Sequence, residues 1–315
     1  MGDGFCIETY LWLRNTTSVH DHSFSGAWRT LVGSSIHRRF VFVEQARLTP
    51  SLRLGALSER GLERLEPGMV RTIETGETMI HDLFHLHQPT MTLILRSTGV
   101  SPQSGKYRQQ EYIGFGADAF AWDSFDRPDH EVLQIRLARS MVVCDPAEGL
   151  RQFAAILDPA DPEPGLRCLD GLLVDRPPSL GRYFAAFKKV YGALGERLVG
   201  SLLLKGQNMR ARRLTQTPDE SLVFGLLRAP MTRKAMMDHL TRWVRTDEPH
   251  AWVMDQLESI ARHADAQNSD FGLSPMALAA LRHELLGSRD ASDGAMAQQR
   301  FVLEHHPTLS LLMNP

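Results

Sequence analysis

At 315 residues, with 43% hydrophobic and 23% charged side chains, the chain can bury one large core or two ordinary ones, and two domains suit that length better. A formal charge of −2 supplies no overall attraction to nucleic acid or to an anionic membrane. Three widely separated cysteines (Cys6, Cys144, Cys168) with no CxxC pair argue against a disulfide framework and a thiolate zinc site, and they suit a reducing cytoplasm.

The opening MGDGFCIETYLWLRN lacks the basic start and long apolar run of a secretion signal, and no apolar stretch reaches the roughly 20 residues of a membrane helix. The expected protein is therefore cytoplasmic, with neither a membrane nor a nucleic acid as partner. From Phe5 onward, short runs rich in Val, Ile, Thr, Tyr, Phe and Trp alternate with Gly, Pro, Asn and Ser clusters. Strands are expected at Cys6–Leu13, Ala27–Leu31, Arg39–Glu44, Leu52–Leu57, Met69–Glu74, Thr78–Phe84, Thr90–Ser97, Gln110–Phe115 and Val132–Val143. So many short strands predict a barrel or a sandwich. GFGAD, from Gly114 to Asp118, reads as a turn.

Beyond Pro146 the apolar spacing changes to three and four residues, in LRQFAAIL, LGRYFAAFKKVYGALGERLVGSLLL, DESLVFGLLRA, TRKAMMDHLTRWVR, HAWVMDQLESIARHA and SPMALAALRHELLG. That part is expected to be helical. LDPADPEPG, with Pro159, Pro162 and Pro164, reads as a surface connection. SLVFGLLRAPMTRKAMMDHLTRWV has the outline of a helix, a proline turn and a Thr-capped helix, similar to helix-turn-helix units. Without a basic recognition face it is expected to serve packing or dimerisation, or to lie over the barrel mouth as a lid. The basic runs His37, Arg38, Arg39 and Arg210, Arg212, Arg213 read as solvated charged faces, and His305 and His306 as surface residues. Neither GxGxxG nor GxxxxGK[ST] occurs, which argues against a dinucleotide or nucleoside-triphosphate enzyme.

The histidines carry the functional signal. Of thirteen, seven fall in the first 130 residues, and five of these form the clusters SVHDHS and IHDLFHLH. Residues two apart on a strand face the same side, so His20 and His22 converge while Asp21 turns away. A third imidazole from another strand completes a facial set, and His81, His85 and His87 all share the required parity. Three neutral imidazoles leave open positions on a metal, and imidazole suits iron, zinc, copper and nickel. Tyr10, Trp12 and Arg14 share the parity of His20 and are candidate pocket walls, whereas Trp28 is expected in the core.

TTSVHDHSFSGAWRTLVGSS followed by GETMIHDLFHLHQPTMTLILRST resembles the cupin superfamily, in the three-histidine branch that includes cysteine dioxygenase. The resemblance runs from Thr16 to Arg96. It implies His20, His22 and His81 as ligands of one Fe(2+), with zinc, manganese or nickel as alternatives. His85 stands where many cupins have an asparagine, and Arg96, if it points inward, suits a substrate carboxylate. His85 and Arg96 are thus the expected catalytic residues. The glutamate that most cupins add is replaced by Gly26 and Ala27, which implies a centre of three histidines.

Thr92, Ile94 and Arg96 stand where cysteine dioxygenase has serine, histidine and tyrosine, and Ala27 replaces the crosslinking cysteine. These departures point away from cysteine itself as substrate. The expected fold is α+β and multidomain: a cupin-type antiparallel β-barrel (jelly roll) over 1–145, then a mostly α-helical domain over 146–315. The implied activity is a mononuclear non-haem iron oxygenase or dioxygenase acting on a small amino-acid-like or thiol-bearing metabolite with molecular oxygen, with a homodimer as the candidate assembly. A non-redox cupin enzyme and a ligand-sensing module are the alternatives.

Overall fold

The computed structural model describes residues 4–13, 17–98, 107–123, 129–175, 177–211, 215–229, 231–266, 274–286 and 310–313. Ten strands come first: β1 (Phe5–Trp12), β2 (Val19–His20), β3 (Gly26–Val32), β4 (Ser35–Arg47), β5 (Leu52–Leu65), β6 (Val70–Ile73), β7 (Ile80–His85), β8 (Thr90–Ser97), β9 (Gln110–Ile113) and β10 (Gly116–Asp123). They form two antiparallel layers. One is a four-stranded sheet in the order β1-β8-β3-β6; the other runs β10-β5-β4-β7-β2-β9 and closes on itself through the β9–β10 pair. This N-terminal barrel followed by helices is the α+β layout expected from the sequence, and its fold is cupin-like.

Strand alternation divides the interior into two cores. Phe40, Phe42, Leu57, Ile80 and Tyr112 fill the six-stranded ring. Trp28, Leu65, Ile73, Met79 and Leu83 form the layer between the ring and the four-stranded sheet. Residues of β7 are buried on both faces, because one side meets each core. The tight turn from β3 to β4, which carries the chain from one layer to the other, is made at Gly33 with φ +76°, a conformation only glycine adopts without strain.

The helices are α1 (Asp129–Cys144), α2 (Pro146–Ala155), α3 (Glu163–Asp175), α4 (Leu180–Ala211), α5 (Pro218–Leu227), α6 (Arg233–Val244), α7 (Pro249–Ala266), α8 (Pro275–Leu286) and the single turn α9 (Ser310–Met313). They pack onto the ring in two groups. Leu52, Ile113, Phe120 and Trp122 share a core with α1 to α4. Ile36, Phe84 and Leu86 share another with α5 to α9. A Cβ on Gly225 would stand 2.6 Å from the Ile36 side chain and 3.0 Å from Phe84, so α5 needs glycine to approach the barrel this closely. Thr232 caps α6 by accepting from the Ala235 amide at 3.2 Å, the Thr-capped start expected from the sequence.

Three expectations need correction. Val132–Val143 is helix α1, not a strand: Ile135, Ala138 and Val142 form one stripe packed on the neighbouring helices, and the paired valines had suggested a strand. Gly114 and Phe115 make the expected turn, but β10 starts at Gly116, and its Ala and Asp content hid it. LDPADPEPG is a connection only as far as Pro162, since Pro164 sits in the first turn of α3, where its missing N–H costs nothing. Arg212, Arg213, His305 and His306 lie outside the described residues.

His37 and Arg38 also differ from expectation. Both are buried, and only Arg39 of that run is solvated. Arg38 forms a two-pronged ion pair with Asp82 on β7 and donates to the Arg228 carbonyl at 2.9 Å, tying the barrel to the end of α5. Both charged side chains are about 1% exposed, so each neutralises a charge that water cannot reach. Asp82→Ala is expected to lower unfolding free energy by about 3–5 kcal/mol in urea titrations, whereas an apolar replacement of both partners costs far less. A loss below about 1 kcal/mol would contradict this reading.

Candidate metal centre

β2 pairs with β7 through His20 and His81 and with β9 through Val19 and Tyr112. Its alternation sends Val19 and Asp21 to the ring interior and His20 and His22 to the layer beneath the four-stranded sheet. Asp21 is wholly buried and accepts from the Tyr112 hydroxyl at 2.8 Å, the Gln110 amide at 2.8 Å and the Tyr107 hydroxyl. It thereby pins the two-residue strand on which both histidines depend.

On the opposite face the imidazoles of His20, His22 and His81 converge, with ring centroids 4.8, 4.8 and 4.9 Å apart. One ring nitrogen from each lies within 4.8 Å of the others. The His22 and His81 Nε2 atoms are 2.9 Å apart. Two imidazoles bound to one cation at about 2.1 Å place their nitrogens roughly 3.0–3.4 Å apart, close to the spacing His22 and His81 already have.

Tautomers follow from the outer partners. His20 Nδ1 donates to the Ser18 carbonyl at 2.8 Å, which leaves Nε2 with a lone pair. His37 Nδ1 donates to Glu63 at 2.8 Å; its Nε2 then accepts from His81 Nδ1 at 3.1 Å, and His81 Nε2 faces the cluster unprotonated. Hydrogen bonds from His37 and Arg71 hold the Glu63 carboxyl down at about 2, so the carboxylate stays charged. Glu63, His37 and His81 thus form a carboxylate–imidazole–imidazole chain ending at the cluster, the type of support that orients metal-ligating histidines.

Burial keeps these ligands neutral. It holds His22 at about 3, assisted by the nearby His20, and it lowers His20. Burial also drives His81 well below the ordinary range, with the imidazoles of His20, His37 and His22 adding to the effect. Neutral imidazole is the metal-binding form, so the donor set fits a divalent cation.

No carboxylate joins the set from the usual place. A Cβ on Gly26 would lie 2.1 Å from the Leu95 carbonyl oxygen, and Ala27 belongs to the opposite face of β3. His85 and His87 stand apart. Four residues along a strand is about 13 Å, which carries His85 beyond reach of an ion held by His81. His85 instead meets the Ser35 hydroxyl through Nδ1 at 2.8 Å and stacks on Trp12 at 4.8 Å. His87 Nδ1 accepts from the Ser34 amide at 3.2 Å.

Arg96 is engaged by Glu8, at 2.6 Å and 2.9 Å, and its guanidinium lies 5.3 Å over the Phe24 ring. Phe24 in turn packs on His22 at 4.8 Å, so Arg96 reaches the rim of the cluster. Trp28 is in the core as expected and closes the other side, 5.4 Å from His81 and 5.2 Å from His37. Tyr10 stacks on Trp12, and Arg14 lies outside the described residues. His37 and Glu63 were missed from sequence. Their only signal was the parity of His37 on β4, and the register that sets it beside His81 depends on strand pairing.

The chain matches no protein-family model, and no curated protein matches it.

Two outcomes are expected from this geometry. His37→Ala should weaken metal affinity by about 10–100-fold, with Glu63→Gln acting in the same direction, as read by competition with a chelator. The ligand pKa values lie below the ordinary 6.5, so protons bind the unfolded chain more readily than the folded one as the pH falls below that value. The stability contributed by the neutral imidazoles is therefore full above about pH 6.5 and is lost on acidification. Metal-free protein should lose melting temperature below that pH, and added metal should restore it.

Proposed function

We propose that the protein is a mononuclear non-haem Fe(II)-dependent dioxygenase acting on a small amino-acid-like or thiol-bearing metabolite. The observation that carries the proposal is the convergence of three neutral imidazoles between the two sheets, without a carboxylate at Gly26 or Ala27. Bound there, Fe(II) would keep its full charge and about three open positions, and so take a substrate heteroatom and molecular oxygen side by side.

The chain's own groups do the rest. His20, His22 and His81 would hold the ion, and the His37–Glu63 pair keeps the His81 proton on Nδ1. Phe24 and Trp28 shield the centre from water. Arg96, shared with Glu8 at the rim, offers a cation to a substrate carboxylate, and His85 with Trp12 and Ser35 forms a polar and aromatic wall further along β7.

The same donors suit zinc, manganese or nickel, so a non-redox reaction is the competing reading. The shared core of Ile36 and Phe84 with α5 to α9 would also let a ligand-sensing barrel act on the helices.

Oxygen uptake by protein reconstituted with Fe(II), across a panel of small thiols and amino acids, tests the proposal. Substrate-dependent uptake with iron, none with zinc, and loss to background in His81→Ala is the expected result. Turnover under nitrogen with zinc or manganese would favour the non-redox enzyme. Full metal content in His81→Ala, with loss in His85→Ala or His87→Ala, would show the third ligand to be misassigned.

A further inference from the structure

The outer face of the four-stranded sheet is apolar. Even-numbered residues of β1, such as Tyr10 and Trp12, face the inner layer, while Phe5, Ile7 and Leu11 face outward and are 66%, 69% and 58% exposed. Leu95 on β8, Leu31 on β3 and Val70 on β6 continue this outer surface across the sheet. A sheet that covers a core on one side ordinarily presents polar residues on the other. Here both helical groups pack on the six-stranded ring, and among the described residues no helix shares a core with this face.

We propose that the outer face of the four-stranded sheet is the interface with a second copy of this chain, packed sheet on sheet about a twofold axis. Area is the first argument. Phe5, Ile7, Leu11, Val32 and Val70 are each at least half exposed, and Leu31 and Leu95 more than a third, so the face is one broad apolar surface of the kind that marks an interaction site. Each partner of a stable complex buries roughly 800 Å², an area a four-stranded face of this kind can supply.

Charge is the second argument. Arg29 is the one charged residue of the four strands on this face, and it leans toward the turn at Gly68, to within 4.0 Å of where a Cβ would stand there. An acidic, basic or nucleic-acid partner would find almost nothing to pair with. An equally flat, uncharged β-surface fits, and the chain's own copy supplies one of matching size and twist. Pairing would also brace β1, which among the described residues is an edge strand of its sheet and holds Trp12 against His85.

Sedimentation equilibrium of the full chain tests the proposal. Thr9 is exposed midway along the edge strand β1, between Ile7 and Leu11 on this face, and contributes little packing, so Thr9→Arg inserts a charge without removing core atoms. The wild-type chain is expected to sediment at twice its chain mass, and Thr9→Arg should weaken association at least 100-fold while keeping its far-UV spectrum and metal content. Leu95→Lys, from the neighbouring strand, should do the same. A wild-type monomer at tens of micromolar would overturn the proposal, whether the face is bare or covered by another part of the chain. A dimer that both variants leave intact would equally overturn it.

Discussion

Neutral imidazoles crowded into a dry layer between two sheets are the constraint on which the site depends. Three such rings sit with centroids less than 5 Å apart, and burial denies each its proton. His22 and His81 meet through their Nε2 atoms at 2.9 Å, and the cluster is held in place from outside. Asp21, pinned by two tyrosines and an amide on the far face of β2, fixes two of the rings, and the Glu63–His37 chain fixes the third. HDH therefore works as a unit, with its acid anchoring the strand and its histidines presenting the ligands.

The barrel and the helices are one packed body around this layer. The ring has helices against two of its sides, and the buried Arg38–Asp82 pair continues the β4–β7 ladder into the end of α5. The same two strands carry His37 and His81 on their other face. Packing of the helices thus bears on the register that brings these two histidines together. The four-stranded sheet stands outside the helical shell, with one face on the histidines and the other turned to solvent.

Much of this was legible because period-two alternation is a local property. Spacing alone placed His20 and His22 on one side with Asp21 on the other, and β1, β7 and β8 fell close to their observed limits. What stayed hidden was set by pairing over long distances. His37 looked like part of a basic surface run, since nothing in SSIHRRF reveals that β4 lies beside β7 or that Glu63 faces it from β5. β10 intersperses glycine, alanine and aspartate, which propensity disfavours, with Phe120 and Trp122, whose burial against the helices makes it a strand. Val132–Val143 failed in the opposite way: β-branched residues suggested extended chain, while helix packing decided the outcome.

The proposed centre has His20, His22 and His81 sharing one cation. X-ray absorption fine structure of the iron-loaded protein reads this shell directly. The expected spectrum carries the multiple-scattering signature of three imidazoles, at about 2.1–2.2 Å from the metal, with the remaining positions filled by oxygen. A shell of oxygen alone, or one containing sulfur, would contradict it.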